Sequence, residues 1–170
     1  MFLQDDHLTI RDARPSDAPQ LVAWWNDGAV MAHAGFPLGL GTTVEREAAR
    51  LPASGRLMLE YKDQSIGEMN WRDVGGAAEI GIKICDSTMQ ERGLGRIALS
   101  LLCGELFRMG FPKIVLDTNL NNTRAQHVYE KLGFCKVAVR ENSWRDQLGN
   151  LQSAVDYELY PENFHNFAKT

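Results

Sequence analysis

Apolar and polar residues alternate in short runs along most of this chain, and each run predicts a β-strand. Turn signals at residues 62–64 and 73–76 separate three consecutive runs, which predicts an antiparallel meander. A polar turn at 146–150 separates the last two runs, which predicts a final antiparallel pair. The predicted strands cover residues 8–11, 56–61, 65–71, 78–84, 113–118, 134–140 and 151–160.

Four other segments have the apolar spacing of helices. The first follows Ser16, a favourable N-cap residue, and the second follows Thr42, which forms a capping box with Glu45. A Gly- and Pro-containing stretch at residues 26–41 predicts a loop between these two helices. Two longer helices are predicted at 93–109 and 122–132, each followed by glycine.

Composition restricts the class of protein. A chain of 170 residues that is 44% apolar and 24% charged predicts one domain over residues 1–170. A net charge of −4 without a basic run argues against nucleic acid as a partner. The sequence contains neither a run of 18 apolar residues nor a signal peptide pattern, so we expect no contact with a membrane.

The three cysteines, Cys85, Cys103 and Cys135, are widely spaced and have apolar neighbours. An odd number without a C-x-x-C pair predicts buried, reduced thiols, which fits a cytoplasmic protein. We expect neither structural zinc nor any other metal.

The start of the third helix carries a concentrated chemical signal. Gly93 and Gly95 allow a ligand to approach the free amides of the helix N-terminus, and Arg92 and Arg96 add positive charge. Such a helix start is suited to a pyrophosphate. An ordinary glycine-rich helix entry explains the same residues.

A second segment begins at Asn122 and continues through Tyr129 to Gly133 and Phe134. Asn122 has the position of a helix N-cap, and Tyr129 falls on the apolar stripe of the helix. On spacing alone, a cap and a core aromatic explain these two residues without a ligand.

Together, the two segments resemble the GNAT N-acetyltransferases. Gln90-x-x-Gly93-x-Gly95 matches the acyl-CoA-binding signature of that family, and Asn122 and Tyr129 match its second CoA-contacting segment. The resemblance is to the ribosomal-protein, polyamine and aminoglycoside branches, and it implies acetyl-CoA as the acyl donor. The residues that it assigns to acetyl-CoA are Ile82, Lys83, Ile84, Gln90, Glu91, Arg92, Gly93, Leu94, Gly95, Arg96, Asn122 and Tyr129.

The resemblance also implies a fold and a reaction. The expected fold is α+β, an α/β/α sandwich whose mixed, mainly antiparallel sheet has about six to seven strands. That sheet splays at the acyl-CoA cleft between the strands that end near Ile84 and Thr118. The expected reaction is direct attack of a primary amine on the thioester in a ternary complex, with Tyr129 as the general acid. The family habit also allows a homodimer.

The general base and the acceptor are less defined by the sequence. The resemblance makes Asp117 a candidate base, since some members of the family carry a glutamate there, and Glu79 is a candidate because its strand ends just before the glycine loop. Glu68 on the neighbouring strand could face the cleft in the same way as Glu79, and for both a solvated strand carboxylate is the favoured explanation. The acceptor is a small-molecule amine or a protein N-terminus. Candidate acceptor-pocket residues are Trp25, His33, Phe36 and Glu68.

Two other functions share the glycine motif. The spacing of Gly93, Gly95 and Ala98, with Asp117 farther on, also fits an NAD-binding Rossmann oxidoreductase. Against it, a long segment separates the strand ending at Ile84 from Gly93. A regulatory domain that binds acyl-CoA without turnover is the other alternative. A hydrolase is excluded because the chain has no G-x-S-x-G nucleophile elbow.

Overall fold

The computed structural model describes residues 1–169, which form one open sheet with helices packed on it. Over these residues the strands are β1 (Phe2–Asp5), β2 (Leu8–Asp12), β3 (Arg56–Tyr61), β4 (Gln64–Val74), β5 (Ala77–Ile84), β6 (Ile114–Asn119), β7 (Cys135–Arg145) and β8 (Leu151–Leu159). The α-helices of the same range are α1 (Ala18–Trp25), α2 (Gly28–Met31), α3 (Val44–Arg50), α4 (Leu94–Arg108) and α5 (Thr123–Leu132).

The strand order is β1-β2-β3-β4-β5-β6-β8-β7, and every adjacent pair is antiparallel except β5 with β6. This confirms the predicted α+β class, the meander β3-β4-β5 and the final pair. The sheet has eight strands rather than six to seven, because the terminal segment Phe2–Asp5 adds an edge strand. The mainly antiparallel pairing also makes the Rossmann interpretation wrong, since that fold requires a parallel sheet.

Alternating residues of β3 show that both faces of the sheet are covered. Leu57 and Leu59 belong to the apolar core that includes α4 and α5, whereas Met58 belongs to a second core with α1. Successive strand residues point to opposite faces, so α4 and α5 lie on one face and α1 on the other. The sandwich architecture follows from this alternation.

The central parallel pair opens along its length. β5 and β6 are paired only at Ala78 with Ile114 and at Glu79 with Val115, although β5 continues to Ile84. Beyond that point the β6-facing edge of β5 has no strand partner within residues 1–169. The predicted splay of the sheet is therefore present, and it opens the cleft described below.

Several local predictions need correction. The N-cap positions of α1 and α3 are occupied by Asp17 and Thr43, one residue after the predicted caps Ser16 and Thr42. The stretch 26–41 is not only a loop, because Asp27 caps the short helix α2 by accepting a hydrogen bond from the Ala29 amide at 2.9 Å. The thiol of Cys135 is exposed rather than buried, because β7 lies at the edge of the sheet. No α-helix within residues 1–169 is long and apolar enough to span a membrane.

Candidate active site

A cleft of about 1420 Å³ opens where β5 and β6 separate. We call one wall the helix side: the loop of residues 90–93, the first turn of α4, and Asn122 and Tyr129 of the α5 segment. We call the other wall the strand side: Glu68 and Asn70 of β4 with Gly81 and Lys83 of β5. The two walls line one cleft from opposite faces of the sheet, because Glu68 is the cross-strand partner of Met58 on the α1 face.

Side-chain hydrogen bonds fix the loop of the helix side. Gln90 Nε2 donates to the carbonyl oxygen of Ile84 at 2.9 Å, which ties the loop to the end of β5. Arg124 Nη2 of α5 donates to Gln90 Oε1 at 3.1 Å, and Arg124 Nη1 lies 3.4 Å from Glu91 Oε1. Arg124 therefore connects the loop to α5, a role that the sequence motifs did not indicate.

The first turn of α4 leaves its backbone donors open. Gly93 occupies the N-cap position with φ of 77°, in the left-handed region that favours glycine, and it has no capping side chain. The first intrahelical bond at this end is from the Ile97 amide to the Gly93 carbonyl, so the amides of residues 94–96 have no partner in the helix. Together with the helix dipole, these donors suit an anionic group such as a pyrophosphate.

Asn122 is the N-cap of α5, the structural role that its position in the sequence predicts. Its Oδ1 accepts a hydrogen bond from the Ala125 amide at 3.2 Å and caps α5. The side chain also lines the cleft, and its amide nitrogen donates to no group within residues 1–169. A cap and a ligand contact are therefore compatible at this position.

Tyr129 lies at the inner end of the helix side. Its ring packs against Phe134 and Tyr157 with centroid distances of 5.8 Å, and the residue is 6% exposed. Burial, followed by the negative charge of Asp117, raises the pKa of Tyr129 well above its ordinary value of about 10. The phenol therefore keeps its proton at neutral pH and remains a hydrogen-bond and proton donor.

Glu68 is the buried carboxylate of the strand side. It is 5% exposed, and its Oε2 lies 2.8 Å from Arg56 Nη1 without hydrogen-bond geometry. Oε2 has no hydrogen-bond partner among residues 1–169. A buried carboxylate oxygen with free acceptor capacity is suited to bind an ammonium group or to accept a proton.

Asn70 and Gly81 extend the strand side. They are cross-strand partners, and a Cβ atom added to Gly81 would lie 2.5 Å from Asn70 Oδ1, so glycine leaves room for the carboxamide. Asn70 carries no motif that singles it out in the sequence, although its spacing of two residues from Glu68 places both on one face of β4.

Lys83 is the cross-strand partner of Glu68, but its ammonium group lies 3.1 Å from Met31 Sδ. Trp25 and His33, from the segment around α1 and α2, also line the cleft.

The family model for the GNAT acetyltransferase domain matches residues 7–135 of the chain. The chain belongs to the GNAT acetyltransferase family. A [ribosomal protein bS18]-alanine N-acetyltransferase of Haemophilus ducreyi is 29% identical over 75 residues, which are 44% of this chain and 52% of that protein. The chain spans about half the length of the curated relatives it matches.

Solved GNAT structures share the fold over nearly the whole chain. A GNAT family acetyltransferase from Bacillus anthracis has a TM-score of 0.82 at 18% identity, covering 95% of this chain and 99% of that one. RimL, a ribosomal L7/L12 α-N-protein acetyltransferase in complex with coenzyme A, has a TM-score of 0.81 at 16% identity, with 94% and 98% covered. At these identities the likeness shows a common fold.

Most residues that the GNAT resemblance assigned to the cofactor line the cleft, with one exception. The guanidinium group of Arg92 lies over the ring of Tyr61 at 5.4 Å and 3.0 Å from Met89 Sδ. The residues of this set that line the cleft are Ile82, Lys83, Ile84, Gln90, Glu91, Gly93, Leu94, Gly95, Arg96, Asn122 and Tyr129.

Two of the predicted site residues, Glu79 and Phe36, do not line the cleft. Glu79 shares a strand face with Gly81 and Lys83, but it lies four residues before Lys83, a separation of roughly 13 Å along the strand. Its carboxylate instead accepts a hydrogen bond from Arg72 at 2.7 Å, opposite on β4. These two residues therefore do not join the other candidates.

Asp117 lines the cleft but is not a free base. Its side chain is 64% exposed, and its Oδ2 accepts a hydrogen bond from Arg140 Nη2 at 3.0 Å. Arg140 also pairs with Asp156 at 2.9 Å, which fixes the guanidinium group between the two carboxylates. The negative charge of Asp117 contributes, after burial, to the raised pKa of Tyr129.

Cys85 also lines the cleft, but it is poorly suited to act as a nucleophile. Burial, followed by the nearby charge of Glu68, raises the pKa of Cys85 to about 12. The reactive thiolate is therefore scarce at neutral pH. Within residues 1–169 no group of three or more His, Cys, Asp or Glu side chains is arranged to hold a metal ion.

Proposed function

We propose that this GNAT protein is an acetyl-CoA-dependent N-acetyltransferase that acetylates a primary amine in a ternary complex. One observation carries the proposal: the free amides of α4, the protonated phenol of Tyr129 and the buried carboxylate of Glu68 line one cleft. The first suits the phosphates of an acyl-CoA, and the other two are a proton donor and a proton acceptor.

The residues of the helix side fit coenzyme A. Amides 94–96 and Arg96 would hold the pyrophosphate, while Asn122 would contact the pantetheine arm. Acetyl-CoA supplies an acetyl group activated as a thioester. The unpaired edge of β5 at residues 82–84 would donate backbone hydrogen bonds to the thioester carbonyl, and Tyr129 would give its proton to the departing sulfur.

Glu68 is the base that the geometry favours. A free ammonium group with pKa near 10.4 must lose a proton before it attacks, whereas an α-amine with pKa of about 7.7 to 8.0 loses it more easily. In both cases Glu68 Oε2 offers a buried acceptor inside the cleft, 2.8 Å from Arg56 Nη1. Glu79 lies outside the cleft, and the side chain of Asp117 is 64% exposed and hydrogen-bonded to Arg140. The weakly acidic thiol of Cys85 supports direct attack rather than a covalent acyl-enzyme.

The acceptor is a small-molecule amine or a protein N-terminus. The named function of the bS18-alanine N-acetyltransferases, to which this chain is similar, supports the second class. We place the reaction in the cytoplasm, where the three free cysteines would remain reduced.

Calorimetric titration with acetyl-CoA, with NADH as a control ligand, tests the donor. Incubation with panels of amines and N-terminal peptides, followed by thiol release, then tests turnover. We expect selective binding of acetyl-CoA and acceptor-dependent release of CoA. Tight binding without release for every acceptor would support the regulatory alternative, and absence of acetyl-CoA binding would contradict both functions.

A further inference from the structure

Arg96 is a cation in the cleft that pairs with no carboxylate of the described residues 1–169. Its Nε is buried and has no hydrogen-bond partner among residues 1–169. The guanidinium group lies beside the loop of residues 90–93, which we call the phosphate loop, since a Cβ atom added to Gly93 would be 3.8 Å from Arg96 Nη2. An unpaired guanidinium group at a helix N-terminus indicates an anionic ligand.

The C-terminal tail, residues 161–169, contacts Arg96. The guanidinium carbon lies 4.5 Å from the ring centroid of Phe167. An aromatic face attracts the cation but accepts no in-plane hydrogen bond, so the N–H groups at the guanidinium edge remain available. A carboxylate in the same place would occupy those donors and neutralise the charge.

The tail follows one face of α4 toward the phosphate loop. Phe164 packs on Phe107 near the end of the helix, with ring centroids 5.7 Å apart. The Phe167 amide donates to the buried Ser100 Oγ at 3.0 Å, about one turn from Arg96. The tail is thus anchored by its backbone at the point where its ring meets Arg96.

Two further contacts fix the ends of the tail. A Cβ atom at Gly133 would lie 1.8 Å from the Asn163 carbonyl oxygen, so only glycine lets the tail cross the end of α5. The Lys169 amide donates to Asp5 Oδ2 at 2.9 Å, which connects the tail to the β1–β2 hairpin. These anchors do not involve the Phe167 ring, so the path of the tail does not depend on the contact between that ring and Arg96.

We propose that Phe167 is a positioning residue for Arg96, and that the C-terminal tail is therefore part of the acyl-CoA phosphate site. The inference rests on the proposed function, because it assigns the pyrophosphate as the anion that Arg96 binds. Phe167 acts through Arg96 and has no role in the chemistry at the thioester. Phe167 therefore contributes only to the binding of acyl donors that carry phosphates.

The test compares acetyl-CoA with acetyl-pantetheine, a donor without phosphates. We expect Phe167→Leu to raise the calorimetric Kd for acetyl-CoA about tenfold, between the scales of an exposed and a desolvated cation–π contact, because the Phe167 ring is partly exposed. Phe167→Tyr keeps an aromatic ring and should bind acetyl-CoA like the wild type. Turnover of acetyl-pantetheine should not change. Phe164→Leu is the matched control, since it makes the same change on the same tail far from Arg96.

A double-mutant cycle tests whether Phe167 acts through Arg96. In an Arg96→Met background, Phe167→Leu should cause no further loss, because the two residues form one unit. Additive losses, or equal losses with acetyl-pantetheine, would overturn the proposal. Should Phe167→Leu fail to fold by thermal denaturation, Arg96→Lys tests the contact from the other side, since lysine keeps the charge but loses the planar stack.

The proposed function and this inference fail differently. If the wild-type protein does not bind acetyl-CoA, the proposed function itself is wrong. If the wild type binds and folded Phe167→Leu binds equally well, only the role of the tail is wrong.

Discussion

The two sides of the cleft are built from different materials. The helix side offers backbone amides at the start of α4, held open by a glycine N-cap and a short loop. The strand side offers side chains, among them the buried carboxylate of Glu68 and the carboxamide of Asn70. Backbone donors suit a phosphate that is the same in every acyl-CoA, whereas side chains can vary with the acceptor.

This difference indicates a division of labour. Changes on the helix side should alter affinity for the donor, and changes on the strand side should alter the use of the acceptor. Tyr129 belongs to the helix side, but as the proposed proton donor it should affect the chemical step itself. Four substitutions test this division.

The largest expected effect is that of Tyr129→Phe. Loss of the phenol removes the proton donor for the leaving sulfur, and general acids contribute on the order of 100-fold or more. We expect kcat to fall about 100-fold, while the calorimetric affinity for acetyl-CoA stays near wild type. The ring still packs on Phe134 and Tyr157, so the melting temperature should change little.

Unchanged kcat in Tyr129→Phe would remove the general-acid role. Equal losses in kcat and in acetyl-CoA affinity would instead make Tyr129 a binding residue of the helix side.

Glu68→Gln tests the strand side. Removing the negative charge deletes the proposed proton acceptor, and kcat/KM for the acceptor should fall about 30-fold, the scale of a lost charged hydrogen bond. Acetyl-CoA affinity should not change. Steady-state kinetics with varied acceptor at saturating acetyl-CoA measures the effect.

Glu60→Gln is the matched control for Glu68→Gln. Glu60 forms an ion pair with Arg11 at 2.8 Å on the neighbouring strand, away from the cleft, so its loss should leave kinetics unchanged. A similar kinetic loss in both variants would attribute the effect of Glu68→Gln to general destabilisation. Thermal denaturation of both proteins checks this directly.

The sequence predicted the helix side better than the strand side for a physical reason. The glycine loop and the Asn122 cap are local, since their geometry depends on residues close together in the chain. The choice of Glu68 over Glu79 depends on where β6 leaves β5, which strand patterns do not contain. Glu68 and Glu79 both fit the alternation of side chains along their strands, but only Glu68 lies at the open end of the sheet.

The same reason explains what was missed in the fold. β1 is a four-residue edge strand whose one buried residue is Asp5, so its sequence shows no alternation of apolar and polar residues. The contact of Phe167 with Arg96 joins residues that are distant in the chain, and no local pattern predicts it. Long-range packing therefore accounts for most of the difference between prediction and structure.

Gly93→Val tests the helix side and should have a smaller effect. Gly93 has φ of 77°, which a β-branched residue adopts only with backbone strain. A side chain at this position would also project from the loop of residues 90–93. We expect the calorimetric Kd for acetyl-CoA to rise about tenfold, with kcat at saturating donor close to wild type. Gly93→Asn is the control, because asparagine tolerates the left-handed region. Wild-type affinity in a folded Gly93→Val would remove this loop from the site.

Glu79→Gln should have the smallest effect. The carboxylate of Glu79 is bonded to Arg72 at 2.7 Å on the same face as Lys83, but at the paired end of β5. Because exposed ion pairs of this kind contribute little to stability, the melting temperature should stay near wild type. Acceptor kcat/KM should also match wild type, measured beside Glu68→Gln in one assay. A loss in Glu79→Gln as large as that in Glu68→Gln would mean that the base reaches the acceptor from β5, and the division between the two sides would no longer follow the open end of the sheet.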